Sequence, residues 1–368
     1  MFSNQFVLSF SLFFSLSIII LLAPHLLPHC HTYLPISPQD ELEDLYLFNN
    51  ALSLSHSPPS PNKPYSFFHL SSIQKPIPNK IAFLFLTNTP LHFAPLWNSF
   101  FLSQPTNLYN VYVHADPSMN ITHQYGVFRG RFIVSKPTSR ASPTLISATR
   151  RLLATALLDD PNNMYFALIS QHCIPLHSFP YVYNSLFNSK TFDKSKPSQA
   201  PLDAQAPPSY KSYIEILDDS PKLWQRYAAR GRFTMMPEVP FEEFKAGSQF
   251  LTLTRRHALT VVKDRALWRK FKVPCYRDDE CYPEEHYFPT LLSMKDAEGC
   301  TKYTLTRVNW TGSVNGHPYT YRPEHVTPQL IHRLRESNHS ESYLFARKFS
   351  PDCLEPLMRI AKSVIFSD

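Results

Sequence analysis

Residues 80–87 read KIAFLFLT, and every side chain over 81–86 is apolar. No polar residue alternates with them, so neither face suits water and the pattern predicts a strand buried on both sides. Residues 111–114 (VYVH) and 132–134 (FIV) predict a second and a third strand, and 164–169 (MYFALI) another buried one. Pro143 opens a helix over 143–158, with Leu145, Ile146, Thr149, Leu152, Leu153, Ala156 and Leu157 as its apolar side. Asp159-Asp160-Pro161 stops it. Farther on, 190–246 is irregular and Pro-rich, which predicts a long surface excursion. Residues 250–254 return to strand, and 256–264 and 285–294 to helix. Strands alternating with helices predict an α/β fold with a mostly parallel sheet flanked by helices, as a single domain over 80–368.

Composition narrows the chemistry. Among 368 residues there are only seven glycines, at 126, 130, 231, 247, 299, 312 and 316, and no set of them fits G-x-G-x-x-G or G-x-x-x-x-G-K-[ST]. A dinucleotide site of the usual kind and a P-loop are therefore not expected. Net charge is +7, which points to an anionic partner. The basic residues come as separated groups, Arg129/Arg131, Arg150/Arg151, Arg226/Arg230/Arg232, Arg255/Arg256 and Lys270/Lys272, and read as helix faces and loop rims. That scatter argues against nucleic acid and suits a smaller anion such as a nucleotide diphosphate.

The N-terminus speaks to compartment. No charged side chain occurs before Asp40, and residues 6–22 are apolar apart from serines. A span of this length reaches the lower limit for crossing a bilayer. It predicts a signal-anchor over 1–27 in preference to a cleaved signal peptide, whose positive leading residues are missing. Residues 28–79, with HSPPSPNKP at 56–64, predict a Pro/Ser-rich stem carrying one short amphipathic stretch at 41–48. Sequons at Asn120, Asn309 and Asn338 fit a secretory lumen. So do the five cysteines within 80–368, which allow two disulfides and one free thiol. Cys275 with Cys281 would close a small loop, Cys300 with Cys353 would be the remaining pair, and five buried thiols are the alternative.

Three features carry candidate chemistry. His114-Ala-Asp116-Pro117 ends the second strand, where an acid can meet a ligand or simply start an Asx-turn. Glu284-Glu285 precedes a helix, where carboxylates complement the helix dipole or supply a general base. Adjacent residues diverge, so one of the two can face a site, and a consecutive pair does not suit a glycosidase. Arg347-Lys348, between aromatic residues, reads as a solvated helix end or as a clamp for a diphosphate. No D-x-D pair occurs, so the acid pair that chelates a metal in many nucleotide-sugar enzymes is missing and cations would have to replace the metal.

In order, VYVHADPS (111–118), TLISATRRLLATALLDD (144–160), ALISQHCIPL (167–176), FEEFKAGSQFLTLTRRHALTVV (241–262), CYPEEHYFPTLL (281–292) and YLFARKFSP (343–351) resemble glycosyltransferase family 14. These are the core-2/I-branching β-1,6-N-acetylglucosaminyltransferase relatives, and the likeness is greatest to their plant branch. The resemblance covers about 80–361. It implies a GT-A-like fold in a single-pass type II Golgi membrane protein with a lumenal catalytic domain. The implied reaction inverts, uses no metal cofactor and moves a sugar from a UDP-sugar, such as UDP-GlcNAc or UDP-glucuronic acid, to a glycan on a glycoprotein or cell-wall polymer.

By the same resemblance Glu285 is the catalytic base, Asp116 contacts the nucleotide and Lys348 binds the UDP diphosphate. A second diphosphate cation is implied, with Arg322 and His317 as its candidates. Gly247, Ser248 and Glu284 fall on the acceptor side. One departure stands out: plant relatives carry an aromatic-Gly pair just before the Pro143 helix, where this chain has Arg140-Ala141. Loss of that aromatic leaves room for a catalytically inactive, membrane-anchored glycan-binding scaffold as the other function.

Overall fold

The computed structural model describes residues 36–56, 78–119, 121, 125–187, 210–276, 281–313 and 316–368, with four single positions at 13, 15, 16 and 18. The rest of the 1–27 anchor, residues 28–35 and 57–77 of the stem and the Asn120 sequon lie outside the described residues. Among those described, no helix is long and apolar enough to cross a membrane.

Chain order gives α1 (Pro38–His56), β1 (Lys80–Thr87), α2 (Ala94–Phe101), β2 (Tyr109–Ala115), α3 (Pro143–Asp159), β3 (Asn163–Ser170), β4 (Ile174–Pro175), α4 (Phe179–Phe187), β5 (Ser212–Glu215) and α5 (Leu223–Ala228). There follow β6 (Thr252–Thr254), α6 (Arg255–Lys263), α7 (Ala266–Phe271), α8 (Tyr287–Asp296), β7 (Cys300–Lys302), β8 (Thr306–Val308), α9 (Pro328–Arg335), β9 (Phe345–Arg347) and α10 (Leu354–Ile360). The main sheet runs β2-β1-β3-β6-β5-β7, and a smaller one runs β4-β9-β8. In the main sheet β6 opposes β3 and β5, while the other pairings are parallel.

The unbroken apolar run of β1 is explained by its place between β2 and β3, where it feeds both cores. Ile81, Phe83 and Phe85 enter one cluster with α2, α4, α9 and α10. Ala82, Leu84 and Leu86 enter the other with α1, α3, α6 and α8. Phe83 meets the rings of Trp97, Phe100, Phe101, Phe179 and Phe345, so one strand residue gathers two helices and the small sheet. A buried phenyl ring of this kind contributes about 1.5–3 kcal/mol by burial alone.

Several expectations change. Residues 132–134 form no strand: Phe132 makes one isolated bridge to Val113 at the sheet's outer edge. The 250–254 strand shortens to β6. Residues 210–246 are not a surface excursion throughout, because β5 inserts between β6 and β7 with Ser212, Tyr213 and Ile214 buried. Within the 28–79 stretch, residues 38–56 are a helix packed on α3 and α6. Its buried residues Asp44, Phe48 and Ala51 are spaced as one helical face, of which the 41–48 stretch was the visible part.

The basic pairs also move inward. Arg150 and Arg151 are buried, against the expectation of a helix face in water. Arg150 lies over the rings of Phe48 and Trp268 at 4.8 and 5.2 Å and donates to the Asp264 carbonyl at 2.5 Å. Of the cysteines, Cys275 and Cys281 are bonded, whereas Cys173, Cys300 and Cys353 are buried free thiols. The expected Cys300–Cys353 pair fails because the two sit in cores on opposite faces of the sheet.

Candidate active site

The strands β1, β2, β3 and β5 all end at one edge of the main sheet, and the segment entering the reversed β6 starts there. Residues following these ends are placed to meet a ligand. Asp116 is there, but its carboxylate is engaged locally. It accepts from Ser118 N at 2.9 Å and from Thr138 N and Oγ1 at 2.6 and 2.9 Å. Burial works to raise its pKa, and these hydrogen bonds outweigh burial and hold it below the ordinary range. The Asx-turn reading accounts for the Ser118 contact, while the two Thr138 contacts tie the strand end to the segment leading into α3.

The Glu284-Glu285 turn is built by local chemistry. The disulfide closes residues 275–281, Tyr282 takes a left-handed φ of 41°, and Pro283 starts a 3-10 turn over Pro283–Glu285 that leads into α8. The two carboxyls then diverge. Glu284 points inward, almost fully buried, with Oε1 accepting from Ala141 N at 3.1 Å and Oε2 lacking a hydrogen-bond partner. Burial, reinforced by the neighbouring Glu285 charge, raises its pKa to about 8, so it is protonated at neutral pH.

Glu285 turns outward and stays partly open to solvent, with 29% of its side chain accessible. Its Oε2 accepts from Arg226 Nη1 at 2.8 Å. Burial raises its pKa above the ordinary carboxylate value, and Arg226, Arg140 and Arg347 pull it partway back. Arg226 is itself held over the Tyr282 ring at 5.0 Å and reaches His286 Nε2 at 3.3 Å. His286 bonds the Lys245 carbonyl through Nδ1, so Nδ1 carries the proton and Nε2 is the acceptor. Burial lowers this imidazole's pKa to about 3, which keeps it neutral.

Gly247 belongs to the same wall. Its N–H donates to the Glu285 carbonyl at 2.9 Å, and a Cβ there would come within 2.0 Å of the Glu215 carbonyl oxygen. Only glycine permits that approach. Ser248 follows, and its backbone N–H bonds the Glu215 carboxyl, whose pKa is raised by burial and by Glu285. Glu215 was missed in the sequence because it sits in the stretch read as irregular.

Facing this wall is a group of cations. Arg347 ends β9, so the predicted helix end is a strand, and its guanidinium lies 4.1 Å from the Phe250 ring centroid. Its buried Nε has no hydrogen-bond partner. Lys348 follows, with a pKa lowered by burial and by Arg347 and Arg140. His317 lies close by, lowered by burial and then by Arg140, Lys348 and Arg347. Arg322 is exposed and starts the short turn Pro323–His325. Among these candidates the structure brings His317 and Lys348 together, sets Glu285 within reach of the Arg140 and Arg347 charges that both of them also feel, adds Arg226 on Glu285, and leaves Arg322 exposed.

Two sequons are described: Asn338 is exposed, and Asn309 is half-buried with its Oδ1 accepting from Thr311 N. A small, partly open hollow lined by Asp40, His114, Lys136, Ser147 and Arg151 lies between α1 and α3.

A carboxylate of raised pKa with clustered cations nearby, at the carboxyl edge of an α/β sheet, suits transfer from an anionic leaving group. The sequence profile of the Branch family, described as Core-2/I-Branching enzyme, matches residues 81–203 and 206–335. The chain belongs to the core-2/I-branching enzyme family. It is a glycosyltransferase with the family's GT-A-like fold. It is also similar to Glycosyltransferase BC10 of Oryza sativa subsp. japonica, at 27% identity over 321 residues, covering 74% of each chain. Ala141, beside this site, has a φ of 55°, the left-handed backbone that glycine favours.

Proposed function

We propose that this glycosyltransferase moves a sugar from a UDP-sugar, UDP-GlcNAc or UDP-glucuronic acid, to a glycan hydroxyl of a glycoprotein or cell-wall polymer, with inversion and without a divalent metal. The observation that supports the reading is Glu285, a partly open carboxylate of raised pKa that feels the charges of Arg140 and Arg347, the same two arginines that depress Lys348. As general base, Glu285 takes the proton of the acceptor hydroxyl while that oxygen bonds to the donor's anomeric carbon from the far side. The bond from that carbon to the diphosphate oxygen breaks, and its electron pair leaves on UDP. Lys348 meets the developing charge, supplying what a metal would otherwise supply.

Gly247, Ser248 and Glu284 shape the acceptor side, and Asp116 lies toward the nucleotide. The missing D-x-D pair supports the metal-free reading, as does the collection of cations in the cleft. Residues 1–27 would anchor the chain in the Golgi membrane with the catalytic domain in the lumen.

The test is a panel of UDP-sugars with the full-length protein. Transfer should survive EDTA. Glu285→Gln should bind UDP as the parent does and lose transfer by ~10²–10⁴-fold, the usual worth of a general base. EDTA inhibition reversed by Mn²⁺ would overturn the metal-free mechanism. UDP binding without transfer to any acceptor would favour the binding-only scaffold.

A further inference from the structure

We propose that Arg140 is the second cation of the donor site, holding a diphosphate oxygen of the nucleotide alongside Lys348. This assignment rests on the UDP-sugar reading above and names a residue at the position where the chain departs from its plant relatives.

Arg140 spans the seam of the cleft. Its Nη1 donates to His317 Nε2 at 2.6 Å, its Nη2 donates to the Gly316 carbonyl at 2.9 Å, and its guanidinium carbon lies 5.5 Å from the Tyr282 ring centroid. One side of the residue is thus fixed to the loop beside Lys348. The other side is fixed to the turn that carries the base. The imidazole and the carbonyl are neutral acceptors that aim the guanidinium. The backbone is fixed too, because the next residue, Ala141, donates to Glu284 Oε1 at 3.1 Å. Ala141 holds a left-handed φ of 55°, a conformation that is strained for a residue with a side chain and persists where the surroundings enforce it.

Electrostatics place the same side chain among the site's charged groups. Arg140 depresses the pKa of Lys348, His317 and Arg347, and stabilises the charged forms of Glu284 and Glu285. Bringing Arg140, Arg347 and Lys348 together disfavours each charge, and a bound dianion reverses that penalty. A guanidinium also presents a planar fork that matches phosphate oxygens, which a second lysine would not. Arg322 lacks these credentials. It is exposed, its backbone N–H caps the turn to His325, and the groups that depress Lys348 are Arg347 and Arg140.

The experiment compares UDP with uridine, which lacks the phosphates, by calorimetry on the full-length protein and its Arg140→Ala, Arg140→Lys and Arg322→Ala variants. Melting temperatures are measured alongside to confirm folding. Arg140→Ala should weaken UDP ~10–100-fold, the range for losing a hydrogen bond to a charged group, and leave uridine unchanged. Arg140→Lys should recover part of the loss, and donor KM should rise in the same order. UDP affinity unchanged in folded Arg140→Ala, or the loss appearing in Arg322→Ala instead, would overturn the assignment. Failure of the parent protein to bind UDP would overturn the donor reading and this assignment with it.

Discussion

Two arginine–carboxylate pairs in this protein share a geometry and differ in use. Asp44 and Arg151 meet at 2.5 Å between α1 and α3, both buried. Glu285 and Arg226 meet at 2.8 Å in the cleft, both partly open. Burial raises the pKa of each acid, and the partner arginine opposes it. The interior pair is further tied down, with Ser147 Oγ donating to Asp44 Oδ2 at 2.7 Å, so that its charges are committed to docking α1. In the cleft, the second neighbour of Arg226 is an imidazole kept neutral, and the acid retains access to solvent. The same pair is a fastener when fully enclosed and, on the function proposed above, a tuned base when one side is left open.

The largest effect should come from breaking the fastener. Arg151→Met leaves Asp44 buried without its counter-charge, which costs roughly 3–5 kcal/mol. Urea unfolding should show that loss, and protease should cut α1 sooner. Replacing both members by apolar residues, Asp44→Leu with Arg151→Met, should recover much of it. A single variant as stable as the parent would show that α1 docks through Phe48 and Ala51 alone.

A smaller effect sharpens the open pair. Glu284, buried beside the base, stays protonated up to about pH 8, while in the unfolded chain it ionises in the ordinary range. The folded state therefore binds the extra proton. Its contribution is fully present below the unfolded pKa and is lost as pH rises through the folded one. Glu284→Gln keeps an acceptor for Ala141 N–H and removes this titration. Its stability should match the parent near pH 4 and exceed it near pH 8 by on the order of 2 kcal/mol, read from denaturation curves at the two values. Equal stability at both would mean that the Glu284 carboxyl is better solvated than its burial implies.

How much of this was legible in the sequence follows from where each signal is stored. β1, β3 and α3 were legible because an unbroken apolar run and a helical period are local patterns. The divergence of Glu284 and Glu285 was legible too, since adjacent residues cannot share a direction. β5 was not, because four residues between Pro-rich stretches carry no period and are held in the sheet by their neighbours. Arg150 and Arg151 read as surface charge, and only the packed helix α1 shows why they are inside. Arg226 and Glu215 lie 59 and 70 positions before Glu285, so nothing local to the base announces them.

The smallest effect isolates what Arg226 does for the base. Glu285 must be ionised to accept a proton, so transfer should fall as pH drops through its pKa, and that pKa is already raised by burial. Arg226 opposes burial, so Arg226→Met should raise the pKa further and move the acid limb of the kcat/KM profile upward by about one unit, worth ~1.4 kcal/mol. His286 cannot supply the missing charge, because burial keeps it neutral until about pH 3. Arg226→Lys restores a charge without the planar face that lies over Tyr282, so its acid limb should fall between the two. An acid limb that stays in place in Arg226→Met, with kcat alone reduced, would mean that the arginine aims the carboxylate and does not tune it. The cleft pair would then resemble the interior one more than its exposure suggests.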